Sequence, residues 1–133
     1  MSEHFRKLER MYHAAPVNRI YEPVLEVSKG RARLTMAVRP EHFHAGGALH
    51  GSVYFKALDD AAYFAVNSLV HDHFVVTASF NLYLLRPVTG GALRAEGRVV
   101  SATRTLFVAD AELTLDDGTV VARGSGSFMR SRT

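Results

Sequence analysis

The chain has 133 residues, 16 basic against 13 acidic side chains, 47% apolar residues and no cysteine. That length fits one domain, spanning 1–133, with a core small enough to gain from oligomerisation. The lack of cysteine excludes disulfides, thiol nucleophiles and thiolate metal sites, and the lack of any 18-residue apolar run leaves no expected membrane-spanning helix.

Residues 2–13 are expected to form a short amphipathic helix, with Phe5, Leu8, Met11 and Tyr12 on one side and Pro16 helping to end it. The polar start, Met1 to Lys7, has no apolar signal core, so a cytoplasmic protein is expected. Residues 20–27 read as a strand interrupted by Pro23, hence an edge strand. Residues 31–38 alternate, with Ala32, Leu34, Met36 and Val38 against Arg31, Arg33 and Thr35, the pattern of a half-buried strand. A loop rich in Gly and His covers 39–51, and a helix is expected over 52–70. Val53, Phe55, Leu58, Ala61, Ala62, Phe64, Ala65, Val66 and Leu69 cover most of that helix's circumference, so it should be buried.

Four strand segments follow the helix. Over 74–85, Val76, Ala78, Phe80, Leu82 and Leu84 are expected on one face. Pro87 and Gly90-Gly91 mark a turn. Residues 92–102 make the next strand, with Gly97 read as a bulge. Residues 105–115 and 119–129 are joined by a turn at Asp117-Gly118. The fold class is α+β, an antiparallel sheet wrapped around one long buried helix.

The chemistry concentrates at the entrance to that helix, where His50-Gly51 is followed by Asp59 nine residues after the histidine. A helix start offers free N–H groups to an anion or a carbonyl oxygen, and an acid two turns on offers a base. On the helical wheel Lys56, Asp60, Tyr63 and Asn67 form one polar stripe, so Asp60 reads as an exposed partner of Lys56. Asp59 lies about 100° away, beside Ser52, Phe55, Ala62 and Val66. A carboxylate there is costly unless it is paired or functional, and the wheel leaves both readings open. His50 reads as a cap for the loop. His42-x-His44 and His71-x-His73 have the spacing of metal ligands, but such pairs arise by chance in a chain with seven histidines, and no metal is expected. The net charge of +3 reads as an ordinary solvated surface. Lysine occurs only at Lys7, Lys29 and Lys56, and the arginine-rich remainder would suit a phosphate-bearing small molecule; nothing suggests nucleic acid.

The stretch from His44 to Asp59 resembles the hotdog-fold acyl-CoA thioesterases, in the branch of the phenylacetic-acid-degradation thioesterases, which carry an asparagine six residues before a His-Gly-Gly and an acid at the ninth position after the histidine. The histidine is His50, the first glycine Gly51 and the acid Asp59. Asn81 to Pro87 and Gly90 to Gly97 resemble the segments that follow, and the likeness spans roughly 20–130. The resemblance implies a hotdog fold and hydrolysis of an acyl-CoA, or an acyl-carrier-protein thioester, without a cofactor. It implies a homodimer or homotetramer with sites at a dimer interface. There the Gly51 N–H would polarise the thioester carbonyl, and Asp59 of the neighbouring subunit would act as general base or nucleophile. Thr77 would help orient the water, and His50 would hold the loop. Two positions depart from the pattern. His44 stands where the family has asparagine, and Ser52 replaces the second glycine, where its hydroxyl could cap the helix. Two other functions compete with hydrolysis: a hotdog dehydratase pairing His44 with Asp59, and a non-catalytic acyl-CoA-binding domain.

Overall fold

The computed structural model describes residues 2–131. Its elements are α1 (Ser2–Ala14), α2 (Asn18–Tyr21), β1 (Val24–Ser28), β2 (Arg31–Ala37), α3 (Gly51–Asn67), β3 (Val75–Leu84), β4 (Ala92–Ala102), β5 (Leu106–Leu115) and β6 (Val120–Arg130). A 3-10 turn covers Pro40–His42. The strands form one antiparallel sheet in the order β1-β2-β4-β5-β6-β3. The sheet wraps α3, as the nearly all-apolar surface of that helix requires. Leu58, Ala61, Ala62, Ala65 and Val66 are fully buried.

Small side chains set how closely helix and sheet approach. Ala32, Gly97, Ala111 and Gly124 are register partners across β2, β4, β5 and β6. A Cβ on Gly97 would lie 2.3 Å from the Ala61 carbonyl oxygen and 2.7 Å from the Ala62 nitrogen. Gly97 therefore admits the helix backbone and is not a bulge. The irregularity in β4 falls between Val99 and Ser101.

Three other expectations are corrected. The strand expected over 20–27 begins only at Val24. Ile20 and Tyr21 belong to α2, Glu22 ends it in the left-handed conformation (φ 51), and Pro23 precedes the strand without interrupting it. The long helix ends at Asn67 rather than at 70. Ser68 donates its hydroxyl to the Ala65 carbonyl and accepts the Gly30 N–H, which fixes the chain in a turn. In β3 the single face expected from Val76 to Leu84 is broken by a register shift between Thr77 and Ser79. Phe80 and Leu82 still pack on the core, but Val76 is 52% exposed and buried Val75 takes the inner position.

The two edges of the sheet differ. The outer edge of β1 is covered by α1. Glu9 accepts the Val27 N–H, His13 accepts the Leu25 N–H, and Arg6 donates to the Val27 carbonyl. Leu8 and Tyr12 of α1 are buried, while Met11, expected to share their side, is 43% exposed. At β3, among the described residues, side chains of α3 tie down only the backbone of Val75, at the strand's start. Val76, Tyr83 and Leu84 are exposed there, as is Phe55 on the neighbouring stripe of α3. An apolar edge of this kind is a template for pairing with another strand.

Gly97→Ala should lower stability by about 2 kcal/mol or more, because the new methyl meets helix backbone that cannot give way. Gly90→Ala, whose Cβ meets nothing within 4 Å, should change it by less than about 0.5 kcal/mol. Urea midpoints of the two variants provide the comparison.

Candidate active site

The loop before α3 is fastened by backbone bonds. His44 N–H donates to the Ala48 carbonyl, Leu49 N–H to Val88 and His50 N–H to His42. This brings His50 to the N-cap with extended backbone (φ −66, ψ 142), where its Nδ1 accepts the Ser52 N–H at 3.0 Å. Ser52 Oγ lies 2.9 Å from the same nitrogen. An accepting Nδ1 leaves the ring proton on Nε2. The cap is thus His50, as expected, and the Ser52 hydroxyl serves the histidine rather than the helix end.

Gly51 opens α3, and its N–H has no acceptor among the described residues. A free amide at a helix start carries the positive end of the helix dipole. Beside it lies an open cleft of about 270 Å³, lined by His44, Leu49, Gly51, Tyr54, Leu84 and Arg86 among others. A Cβ on Gly51 would meet Leu84 Cδ1 at 3.3 Å, so the glycine keeps this approach open. His44 is exposed, and its Nδ1 accepts the Gly46 N–H at 2.9 Å, so its Nε2 edge carries the proton. Tyr54 donates to the Arg86 carbonyl at 2.8 Å and holds the strand-end loop against the cleft.

Asp59 stands at a second place. Thr77 Oγ1 donates to its Oδ1 at 3.2 Å. The register shift immediately after Thr77 allows this residue to face α3 while Phe80 and Leu82 also pack inward. Burial, followed by the neighbouring Asp60 charge, pushes the Asp59 carboxyl up to about 6; the Thr77 hydrogen bond and Lys56 oppose the rise. Burial disfavours the ionised form because low-polarity surroundings solvate charge poorly.

Asp60 is not the exposed partner that the wheel suggested. Its side chain is 17% exposed and that of Lys56 15%. Its Oδ2 accepts both Lys56 Nζ and the Tyr12 hydroxyl at 2.7 Å. The i,i+4 spacing to Lys56 was readable; Tyr12, 48 residues away, carried no sequence signal. Further along the polar stripe Asn67 is fully buried, accepting the Val75 N–H and donating to the Tyr63 carbonyl.

The site residues thus fall into two groups: His44, His50 and Gly51 around the cleft, and Asp59 with Thr77 further along α3. Among the described residues no three or more His, Asp or Glu side chains are placed to hold a metal ion. His42 lies against Tyr21 and His71 stacks on His4.

The model of the thioesterase superfamily matches residues 46–122, which include His50, Gly51, Asp59 and Thr77 but not His44. A candidate esterase of Saccharolobus solfataricus is 27% identical over 133 residues, covering 100% of this chain and 91% of its own. A second from that organism is 31% identical over 104 residues, 78% of this chain and 69% of its own. Among solved structures, the PaaI protein from the phenylacetic acid degradation operon of E. coli superposes with a TM-score of 0.89 at 23% identity, covering 98% of this chain and 94% of that one. The chain, a six-stranded antiparallel sheet around one long helix, belongs to the thioesterase superfamily and has the hotdog fold.

Proposed function

We propose that this protein hydrolyses acyl-CoA thioesters at a site shared between two copies of the chain, with Gly51 contributed by one and Asp59 by the other. The observation that carries this reading is the pairing of a free helix-start amide with a carboxyl whose affinity for protons is raised into the range of a base working near neutral pH. The Asp59 carboxylate takes a proton from water as the water oxygen attacks the thioester carbonyl carbon. The Gly51 N–H donates a hydrogen bond to the carbonyl oxygen and stabilises the negative charge that develops there. Collapse of the tetrahedral intermediate breaks the C–S bond, and the proton passes to the departing CoA sulfur. Thr77 holds one carboxylate oxygen, which leaves the other for the water. His50 keeps the loop and the amide in place, and His44 flanks the cleft where the acyl carbonyl would enter.

The need for two copies follows from helix geometry. Gly51 and Asp59 are eight residues apart, so at a rise of about 1.5 Å per residue they stand about 12 Å apart along the axis. One carbonyl bound by the amide and attacked by the activated water needs the two groups within two or three contacts of about 3 Å each. Two antiparallel helices related by a two-fold axis meet this requirement twice per dimer. The uncovered apolar edge of β3, next to exposed Phe55, is the surface that would pair. A homodimer, or a dimer of such dimers, is therefore expected. A monomer in sedimentation at micromolar concentration, with full activity, would refute the shared site.

The assay is thiol release from acetyl-, hexanoyl-, palmitoyl- and phenylacetyl-CoA. Asp59→Asn, checked for folding by circular dichroism, should lower kcat by about 10²-fold or more, with a smaller effect on KM. Asp60→Asn should change kcat far less at its plateau, and His44→Asn should retain appreciable activity. Hydration of an enoyl-CoA without thiol release would point to the lyase, and binding with neither reaction to a non-catalytic module.

The same Asp59→Asn variant has a stability readout. A carboxyl whose folded pKa is raised to about 6 stabilises the folded state most below its unfolded pKa near 4, and that contribution is lost as pH rises through 6. At pH 8 the ionised Asp59 is a burden, so Asp59→Asn should be more stable than the parent by on the order of 1 kcal/mol, after allowance for solvent screening of this half-exposed group. The advantage should disappear below pH 4. Urea melts of both proteins at pH 4 and 8 measure it.

A further inference from the structure

Next to Asp59, on the helix face turned toward the N-terminal segment, lies a compact charged cluster with no part in the reaction as written above. Lys56 Nζ and Tyr12 Oη share Asp60 Oδ2, both at 2.7 Å. The same ammonium lies over two aromatic rings, 5.6 Å from the centroid of Tyr12 and 5.4 Å from that of Tyr21. These rings come from α1 and α2, so elements outside the helix hold Lys56 and restrict its movement. Both charged side chains are largely enclosed, where charges act on neighbours with less screening than at the surface.

We propose that the Lys56–Asp60 pair, clamped by Tyr12 and Tyr21, is a positioning device that sets the pH range over which Asp59 works as a base. This rests on Asp59 being the base, as proposed above. Each member of the pair biases Asp59 in an opposite sense. The Asp60 charge makes ionisation of Asp59 harder and the Lys56 charge makes it easier. Among the described residues, Thr77 from β3 donates to Asp59, and Tyr63 on α3, whose hydroxyl donates to the Val75 carbonyl, also interacts with it. Tyr12 reaches Asp59 only through Asp60. A fixed ammonium therefore limits how far the Asp60 charge pushes Asp59 upward. A mobile lysine at the same position would give a weaker and less defined correction. Burial of the Tyr12 hydroxyl, together with Asp60, holds that group far above the usual phenol range, so it remains a donor to Asp60 throughout the working pH.

The test is the pH dependence of kcat/KM, whose acid limb reports the base in the free enzyme. The parent, Lys56→Met, Lys56→Arg and Asp60→Asn are compared on whichever of the four acyl-CoAs is cleaved fastest, so that substrate ionisation cancels. Lys56→Met keeps the length of the side chain but removes its charge, and should move the acid limb to higher pH by about half a unit to one unit. Asp60→Asn should move it by a similar amount to lower pH. Lys56→Arg, which keeps the charge, should restore the parent limb to within about 0.3 units. A purely structural role for the pair would lower the rates without separating the limbs. Opposite displacement of the limbs in folded Lys56→Met and Asp60→Asn is required; coincident limbs, or movement in the same direction, overturn the proposal. Loss of thiol release in Asp59→Asn with coincident limbs here would sink this inference alone, whereas retained thiol release in Asp59→Asn would sink the assignment of the base.

Discussion

The close contact between the α3 backbone at Ala61–Ala62 and Gly97 of β4 is the constraint on which the rest of the structure depends. A helix packed on a sheet at ordinary distance would leave side chains between them. Here the sheet presents Ala32, Gly97 and Ala111 in one cross-strand row, and the helix meets it with alanines. The sheet can therefore curl around the helix, which buries nearly its whole surface. The exposed side chains of α3 are Ser52 and Phe55, and half-buried Asp59 continues their stripe toward the edge strand. The place of the carboxylate is thus a consequence of how deeply the rest of the helix is sunk.

The sheet is finished on one side only. At β1 the side chains of Arg6, Glu9 and His13 occupy backbone groups that an edge strand would otherwise present. At β3, among the described residues, helix side chains reach only the backbone of Val75, and the exposed side chains include the apolar Val76, Tyr83 and Leu84. Both edges answer to the same physical rule, since unpaired strand edges invite partners. One edge is closed by the chain's own first helix, and the open one adjoins the stripe that carries Asp59.

Much of this was legible in the sequence because it depends on periodicity. The alternation over 31–38 and the all-round apolar helix mark elements whose burial is set by residue type alone, and the cap at His50 follows from a loop entering a helix. The differences have three other causes. Gly97 reads as a bulge because a glycine within a strand has two explanations, an irregular register or a near neighbour, and only the position of Ala61 decides between them. The register shift after Thr77 leaves no mark in a run such as Val-Val-Thr-Ala-Ser-Phe, because Thr, Ala and Ser suit either face. The alternation therefore points Val76 inward. The family resemblance points to Thr77 as a residue that orients water, but its hydrogen bond to Asp59 has no signal in the pattern. Asp60 was misplaced for a third reason. The wheel describes one helix and cannot register that α1 and α2 lay Tyr12 and Tyr21 over its polar stripe.

Those misplacements converge on the electrostatics of two adjacent acids. Neighbouring aspartates on a helix point about 100° apart, so different elements can control their environments separately. Asp60 faces the N-terminal helices, where an ammonium and a phenol satisfy it. Asp59 faces β3, where one hydroxyl reaches a single oxygen. The ammonium and the phenol both bond Asp60, while burial and the neighbouring Asp60 charge make Asp59 a better proton acceptor than an ordinary carboxylate. A carboxylate can serve as a base near neutral pH only if the fold declines to stabilise its charge completely. Asp59 is therefore best understood together with its neighbour: the fold places the ammonium and the phenol in contact with Asp60, and leaves Asp59 with burial, one hydroxyl and the Asp60 charge beside it.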